Sequence, residues 1–439
     1  MTWPAQLSTT ECSSAEQESG VAAPGVWAAI LLRTAGLRMS IGPAPAVWVA
    51  LLTAVASIVG ACTTMVPGAP VSAVDGPQMV VDPTLLDVGP YPTTPRPALG
   101  TAGTHVRGVL VEAQRMANFV VGPWEVDTAL KVQDSFGARV LTDADALTTL
   151  GPPELAAVSG RHNFINGFAS ARQAENGKSL LNAVLRFGDP PSAAAAVSDL
   201  RKTKLTEPSN WASPQQVSIP GHPEALAISY TVTDSQKGRQ WIAMRSFAFH
   251  GPYVLAQVAV SVGGPAPAAR LVANVINRQR VIIDQFPATD PADFAEIALD
   301  PTGLLARTLL LPPDQATTVQ NARFGKRGAL HFQNDPIWSS ALFDDTVMDL
   351  TARAKTNIYR LSDAYAALLM VDEFTADIQA SAGKLVDRVE FMPASQCMQV
   401  TEGFYCVAPV DRYVIEARSP SLEDAHQQVA AQYILLLGH

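Results

Sequence analysis

The chain has 439 residues, 48% of them apolar, and an acidic surplus that sets the formal net charge at −9. That length allows about two to three domains with cores of their own. The negative balance argues against a nucleic-acid binder, whose affinity needs clustered Lys and Arg on phosphates, and against a polybasic grip on anionic lipid headgroups.

In chain order, residues 1–37 read poorly as structure, and Met39 is an alternative start. The run 46–62, Ala-Val-Trp-Val-Ala-Leu-Leu-Thr-Ala-Val-Ala-Ser-Ile-Val-Gly-Ala-Cys, is uncharged, follows Arg33 and Arg38, and ends in small residues before Cys62. A basic region, a short apolar region and a small-residue cleavage site make an export signal. The run is also shorter than the roughly 20 apolar residues that span a bilayer. Val59-Gly60-Ala61-Cys62 resembles the lipobox of bacterial lipoproteins, although Val59 stands where leucine is preferred. The resemblance implies a diacylglycerol on the Cys62 thiol, cleavage before it, and residence on the outer face of the plasma membrane. Removing the leader, 1–61, leaves 37 acidic against 29 basic residues.

Residues 62–104 are proline-rich and lack an apolar period. They read as an extended tether, since such linkers rise about 3.1 Å per residue. An N-terminal α+β domain is expected over 105–287. Helices are predicted over 109–121 and 142–150. A strand over 180–187 follows, then a helix over 192–204 with Ala193, Ala196, Val197 and Leu200 at amphipathic spacing. Strands over 226–233, 241–249 and 253–262 alternate large and small residues or line up valines, the period of a sheet with one buried face. A helix to about residue 283 closes the domain. Residues 288–350 read as a connecting segment.

The same order returns over 351–439: a strand at 356–361, a helix after Ser362-Asp363, strands at 385–391, 396–400, 404–408 and 412–418, and a final helix after Ser419-Pro420-Ser421. The pattern predicts two related α+β domains, each an antiparallel sheet with helices on one face, built as a duplicated β-α-β-β-β-α unit. Within the second, Cys397 and Cys406 flank a turn at Thr401-Glu402-Gly403. In an exported protein they are expected to form a disulfide; a reduced buried pair is the alternative. Their spacing, with no histidine nearby in sequence, does not suggest a four-ligand zinc site.

Asp300-Pro301-Thr302-Gly303-Leu304-Leu305-Ala306-Arg307, Gly328-Ala329-Leu330-His331-Phe332-Gln333-Asn334-Asp335-Pro336 and Gly167-Phe168-Ala169-Ser170-Ala171-Arg172, with Cys62 and the turn at Asp363, resemble an actinobacterial, chiefly mycobacterial, family of cell-envelope lipoproteins of unknown function. The resemblance implies an exported, lipid-anchored, two-part α+β protein and transfers no catalytic residue. The long leader before Met39 departs from that pattern.

Catalytic signatures are missing from the sequence: it has no Gly-x-Ser-x-Gly elbow, His-Glu-x-x-His pair, Cys-x-x-Cys, calcium loop or dinucleotide fingerprint. Gly177-Lys178-Ser179 mimics the end of a phosphate loop, but Arg172 stands where its first glycine belongs. His331 near Asp335 could transfer protons; a core histidine with a satisfied hydrogen bond is the stronger expectation. Arg161-His162-Asn163 reads as an exposed turn. Trp241, Phe247, Phe249 and Tyr253 are expected in the core, with a lipid or glycan groove as the alternative. No catalytic, cofactor or metal residue is assigned. The expected function is a non-enzymatic envelope module that binds or scaffolds a protein, lipid or glycan. The rivals are a lipid carrier with an apolar cavity and a hydrolase with dispersed catalytic residues.

Overall fold

The computed structural model describes residues 81–234 and 239–438. The export signal, Cys62 and the first part of the tether lie outside the described residues. Residues Met79–His439 form one compact unit.

The first half runs through α1 (His105–Met116), α2 (Pro123–Val126), β1 (Val132–Leu141), α3 (Pro153–Arg161), β2 (Phe164–Gln173), β3 (Ser179–Phe187), α4 (Pro190–Lys202), β4 (Trp211–Gln216), β5 (Leu226–Asp234), β6 (Arg239–His250), β7 (Tyr253–Ser261) and α5 (Pro265–Ile283). The second runs through β8 (Ala322–Gly325), α6 (Lys326–Leu330), α7 (Pro336–Asp345), β9 (Leu350–Arg353), β10 (Thr356–Arg360), α8 (Ala364–Ala380), β11 (Lys384–Val386), β12 (Gln396–Val400), β13 (Gly403–Val410), β14 (Tyr413–Ser419) and α9 (Leu422–Leu437).

Each half forms a seven-stranded antiparallel sheet. The strand orders are β1-β2-β3-β7-β6-β5-β4 and β8-β9-β10-β14-β13-β12-β11, the same path through space. The internal duplication is therefore present, and its unit is longer than expected. Two strands with a helical crossover, β1-α3-β2 and β8-α6-α7-β9, precede the shared strand-helix-four strands-helix order.

Capping and periodicity explain the helices that the sequence made visible. Asp189 accepts from Ser192 N–H ahead of Pro190-Pro191, Asp363 accepts from Ala366 N–H, and Ser421 accepts from Asp424 N–H. The capping residue of the last helix is thus Ser421, with Pro420 outside it. Along α8, Ala366, Ala367, Met370, Val371, Phe374 and Ile378 are buried, the stripe of a helix laid on a sheet.

Three expectations are corrected. Helices cover both faces of each sheet, not one. In β3, Leu180 and Val184 pack with α1 and α5, while Leu181, Ala183 and Leu185 pack with α3 and α4. In the second sheet, Ile358, Ala408 and Ile415 pack with α9, while Tyr359, Val407 and Val414 pack with α8. Alternate residues of a strand point to opposite faces, so a strand apolar at nearly every position needs two covers. The 288–350 segment is no mere connector: from Ala322 on it supplies β8, α6 and α7 to the second half. The tether ends earlier than residue 104. Leu86 is buried in the second half's core, Tyr91 Oη donates to Asp424 at 2.5 Å, and Arg96 N–H donates to Ala306 O at 3.0 Å.

Candidate functional site

The stretch from Gly167 to Arg172 lies on β2, and the stretch from Gly328 to Pro336 forms α6 and the loop into α7. The fold joins them through one side chain. Arg172 is 1% exposed, and its guanidinium donates to the backbone carbonyls of Lys131 (3.3 Å), His331 (3.0 Å), Gln333 (2.6 Å) and Asn334 (3.2 Å). Its planar fork of donors suits several carbonyls at once. Burial pushes its pKa down to about 10, with the carboxylates of Asp335 and Asp134 opposing, so it stays cationic at neutral pH. Trp124 lies under the guanidinium, 5.6 Å from ring centre to Cζ.

His331 is 2% exposed, between Trp124 and Phe168, with ring centres 5.2 and 5.0 Å away. Nε2 faces the carbonyls of Ala117 and Val120, both at 3.2 Å, so Nε2 carries the proton and donates. Nδ1 has no partner. Burial, then the charge of Arg172, pushes its pKa down to about 3, which keeps the ring neutral. Asp335 does not serve it. That carboxylate caps α7 through Ile337 and Trp338 N–H and pairs with Lys131 at 2.6 Å. His331 is therefore the core histidine of the stronger expectation.

The loop that Arg172 holds forms the rim of a cleft on the α8 side of the second sheet. Gln333, Asp335, Trp338, Tyr359, Phe374, Asp377, Tyr405, Glu416 and Arg418 line it, with room of about 30 Å³. Glu416 forms the floor. It accepts from Tyr359 Oη at 2.9 Å, Asn357 Nδ2 at 3.2 Å and Arg418 Nε at 3.3 Å. Burial, then the Glu416 charge, pushes the Tyr359 and Tyr405 hydroxyls up, so both stay protonated. Asp377, half-buried on α8, has its carboxyl pushed up by burial and by Asp335. Among the described residues it forms no ion pair and no side-chain hydrogen bond.

The two halves match two family models. Residues 99–299 match "Domain of unknown function (DUF7373) N-terminal" and residues 304–439 match "Domain of unknown function (DUF7373) C-terminal". The chain belongs to the DUF7373 family. The break between the two matched segments, at 299–304, falls before β8, the first strand of the second sheet. No curated protein matches the chain. Among solved structures, the extracellular domain of PknH from Mycobacterium tuberculosis matches at 14% identity and a TM-score of 0.25, over 37% of this chain and 93% of that one.

In the DUF7373 chain, Cys397 and Cys406 stand directly opposite each other on β12 and β13 and form a disulfide, both at most 1% exposed. The hairpin turn between them needs Gly403, at φ 118°, where a Cβ would sit 2.4 Å from Ser419 O. His426 on α9, distant in sequence, comes within 4.8 Å of both sulfurs, a neighbour that spacing could not show. His162 is paired with Asp199 at 2.9 Å and is only partly exposed. Phe247 and Tyr253 are core residues, while Phe249 is 39% exposed and Trp241 is partly exposed. Sequence reasoning missed the cleft. Its residues come from β10, β13, β14, α7 and α8 and share no local motif; the one available signal was that the Gly328–Pro336 stretch supplies its rim.

Proposed function

We propose that the protein is exported, anchored to the outer face of the plasma membrane through a lipid on Cys62, and acts there as a non-enzymatic binding module of the cell envelope. The disulfide between Cys397 and Cys406 carries the compartment, because such bonds persist where the environment oxidises. The lipobox-like run before Cys62 and the resemblance to mycobacterial envelope lipoproteins support the anchor. Among the described residues no helix is long and apolar enough to cross a membrane, so these residues supply no helical anchor of their own.

The small cleft favours binding over glycoside hydrolysis. Carboxylates flanking a glycosidic bond must leave room for a sugar ring and, in inverting enzymes, a water. The cleft between Asp335, Asp377 and Glu416 offers little such room, about 30 Å³. A lipid carrier needs an apolar cavity of several hundred Å³. A second concavity among the described residues, about 570 Å³, is an open groove lined by Val386, Asp387, Arg388, Glu390 and His426, four of them polar.

Mass spectrometry of the protein purified from its own membranes tests the reading. The expected result is a mature chain that begins at Cys62 and carries diacylglycerol. A chain with its leader attached and a free Cys62 thiol would overturn it.

A further inference from the structure

We propose that the Asp377 cleft binds a primary ammonium group, the charged end of a lysine-like side chain. The proposal rests on the binding reading above and names the ligand chemistry. Two observations carry it independently. Asp377 is a half-buried carboxylate with no cation or donor among the described residues, although the neighbouring carboxylates are all served: Asp335 by Lys131 and two N–H groups, Glu416 by Arg418, Tyr359 and Asn357. Tyr405 lines the same cleft at 2% exposure, and its hydroxyl makes no hydrogen bond with any described residue. Neither the Tyr405 oxygen nor the Asp377 oxygens are sealed from solvent, so water serves them in the empty cleft and a charged donor that reaches both can displace it.

Shape and surroundings select the ligand. Trp338 and Phe374 stand 6.2 Å apart between ring centres, and Tyr359 meets Phe374 edge-on at 5.3 Å, so aromatic rings wall the carboxylate. Arg418, whose Cζ lies 4.8 Å from the Tyr405 ring centre, already occupies that face; the Trp338, Phe374 and Tyr359 rings remain beside the carboxylate to attract a cation. The free space is small, about 30 Å³, which favours a compact head such as an ammonium over a planar guanidinium. An ammonium there would donate to Asp377 and to the Tyr405 oxygen and keep its third hydrogen for solvent or Glu416.

The test uses the full chain in detergent micelles, titrated calorimetrically with Nα-acetyl-lysine methylamide. The controls are Nα-acetyl-norleucine methylamide, which keeps the length and loses the charge, and the arginine counterpart. Saturable lysine-probe binding is expected, at least tenfold tighter than either control. Asp377→Asn should abolish it, and Tyr405→Phe, which keeps the ring, should weaken it severalfold. Asp372→Asn, an exposed acid elsewhere on α8, should leave it unchanged. Equal binding of the lysine and norleucine probes, binding unaltered in folded Asp377→Asn, or no saturation by about 10 mM would each overturn the proposal. A diacylated Cys62 alongside any of these outcomes would leave the envelope reading standing and remove the cleft assignment alone.

Discussion

Arg172 shows how one side chain can hold two halves of a molecule. Its four carbonyl acceptors come from β1's approach and from the loop before α7, so its loss leaves several buried acceptors without donors. Arg172→Lys keeps the charge and gives up the fork. It is expected to cost about 2 kcal/mol or more, read as a lowered denaturant midpoint. His331 makes a pH prediction. Unfolded, it protonates near about pH 6.5; folded, its pKa lies near about 3. The unfolded chain therefore binds the extra proton first, and stability falls as pH drops from about 6.5 toward about 3. His331→Gln, which can still donate to Ala117 O and Val120 O, should show a shallower acid decline in urea midpoints.

At the scale of elements, strands with plain patterns were readable and strands with mixed composition were not. β5, β6 and β7 alternate and were predicted within a few residues. β2 was not, because Gly167, Ala169, Ser170 and Ala171 are small. They are small for packing reasons: a Cβ on Gly167 would lie 2.5 Å from Val184 O on the neighbouring strand. β4 is an edge strand with Pro214 and five exposed positions, so it carries no apolar period. The β12–β13 hairpin was legible through its turn and its cysteines. Its disulfide closes a separation of 9 residues, a short loop. Replacing both cysteines by alanine is expected to cost about 2–3 kcal/mol, measurable as a lower melting temperature under oxidising conditions and no difference from wild type under reducing ones.

For the whole molecule, the two DUF7373 domains share cores. Phe324 of β8 packs in the first half's cluster with α1 and α5, and Trp124 of the first half packs in the second half's cluster with α8. The Arg172 contacts and the Lys131–Asp335 pair cross the same junction. Calorimetry of the full chain should give one unfolding transition for the folded body. Expressed alone, residues 99–299 would expose the surface that Phe324 and Phe332 cover and should melt lower than in the whole chain; an unchanged melting temperature would show the halves to be independent.

By itself the sequence determined the α+β class, the repeated strand and helix order and the start of the helix after Ser362-Asp363, and it placed Cys397 and Cys406 across one turn, because periodicity, caps and turns are local properties of neighbouring residues. Only the tertiary structure decided that helices cover both sheet faces, that two distinctive stretches meet at Arg172, and that Asp377 and Tyr405 share a cleft. Those facts depend on residues far apart in the chain, whose proximity comes from strand order and sheet packing and leaves no trace in spacing.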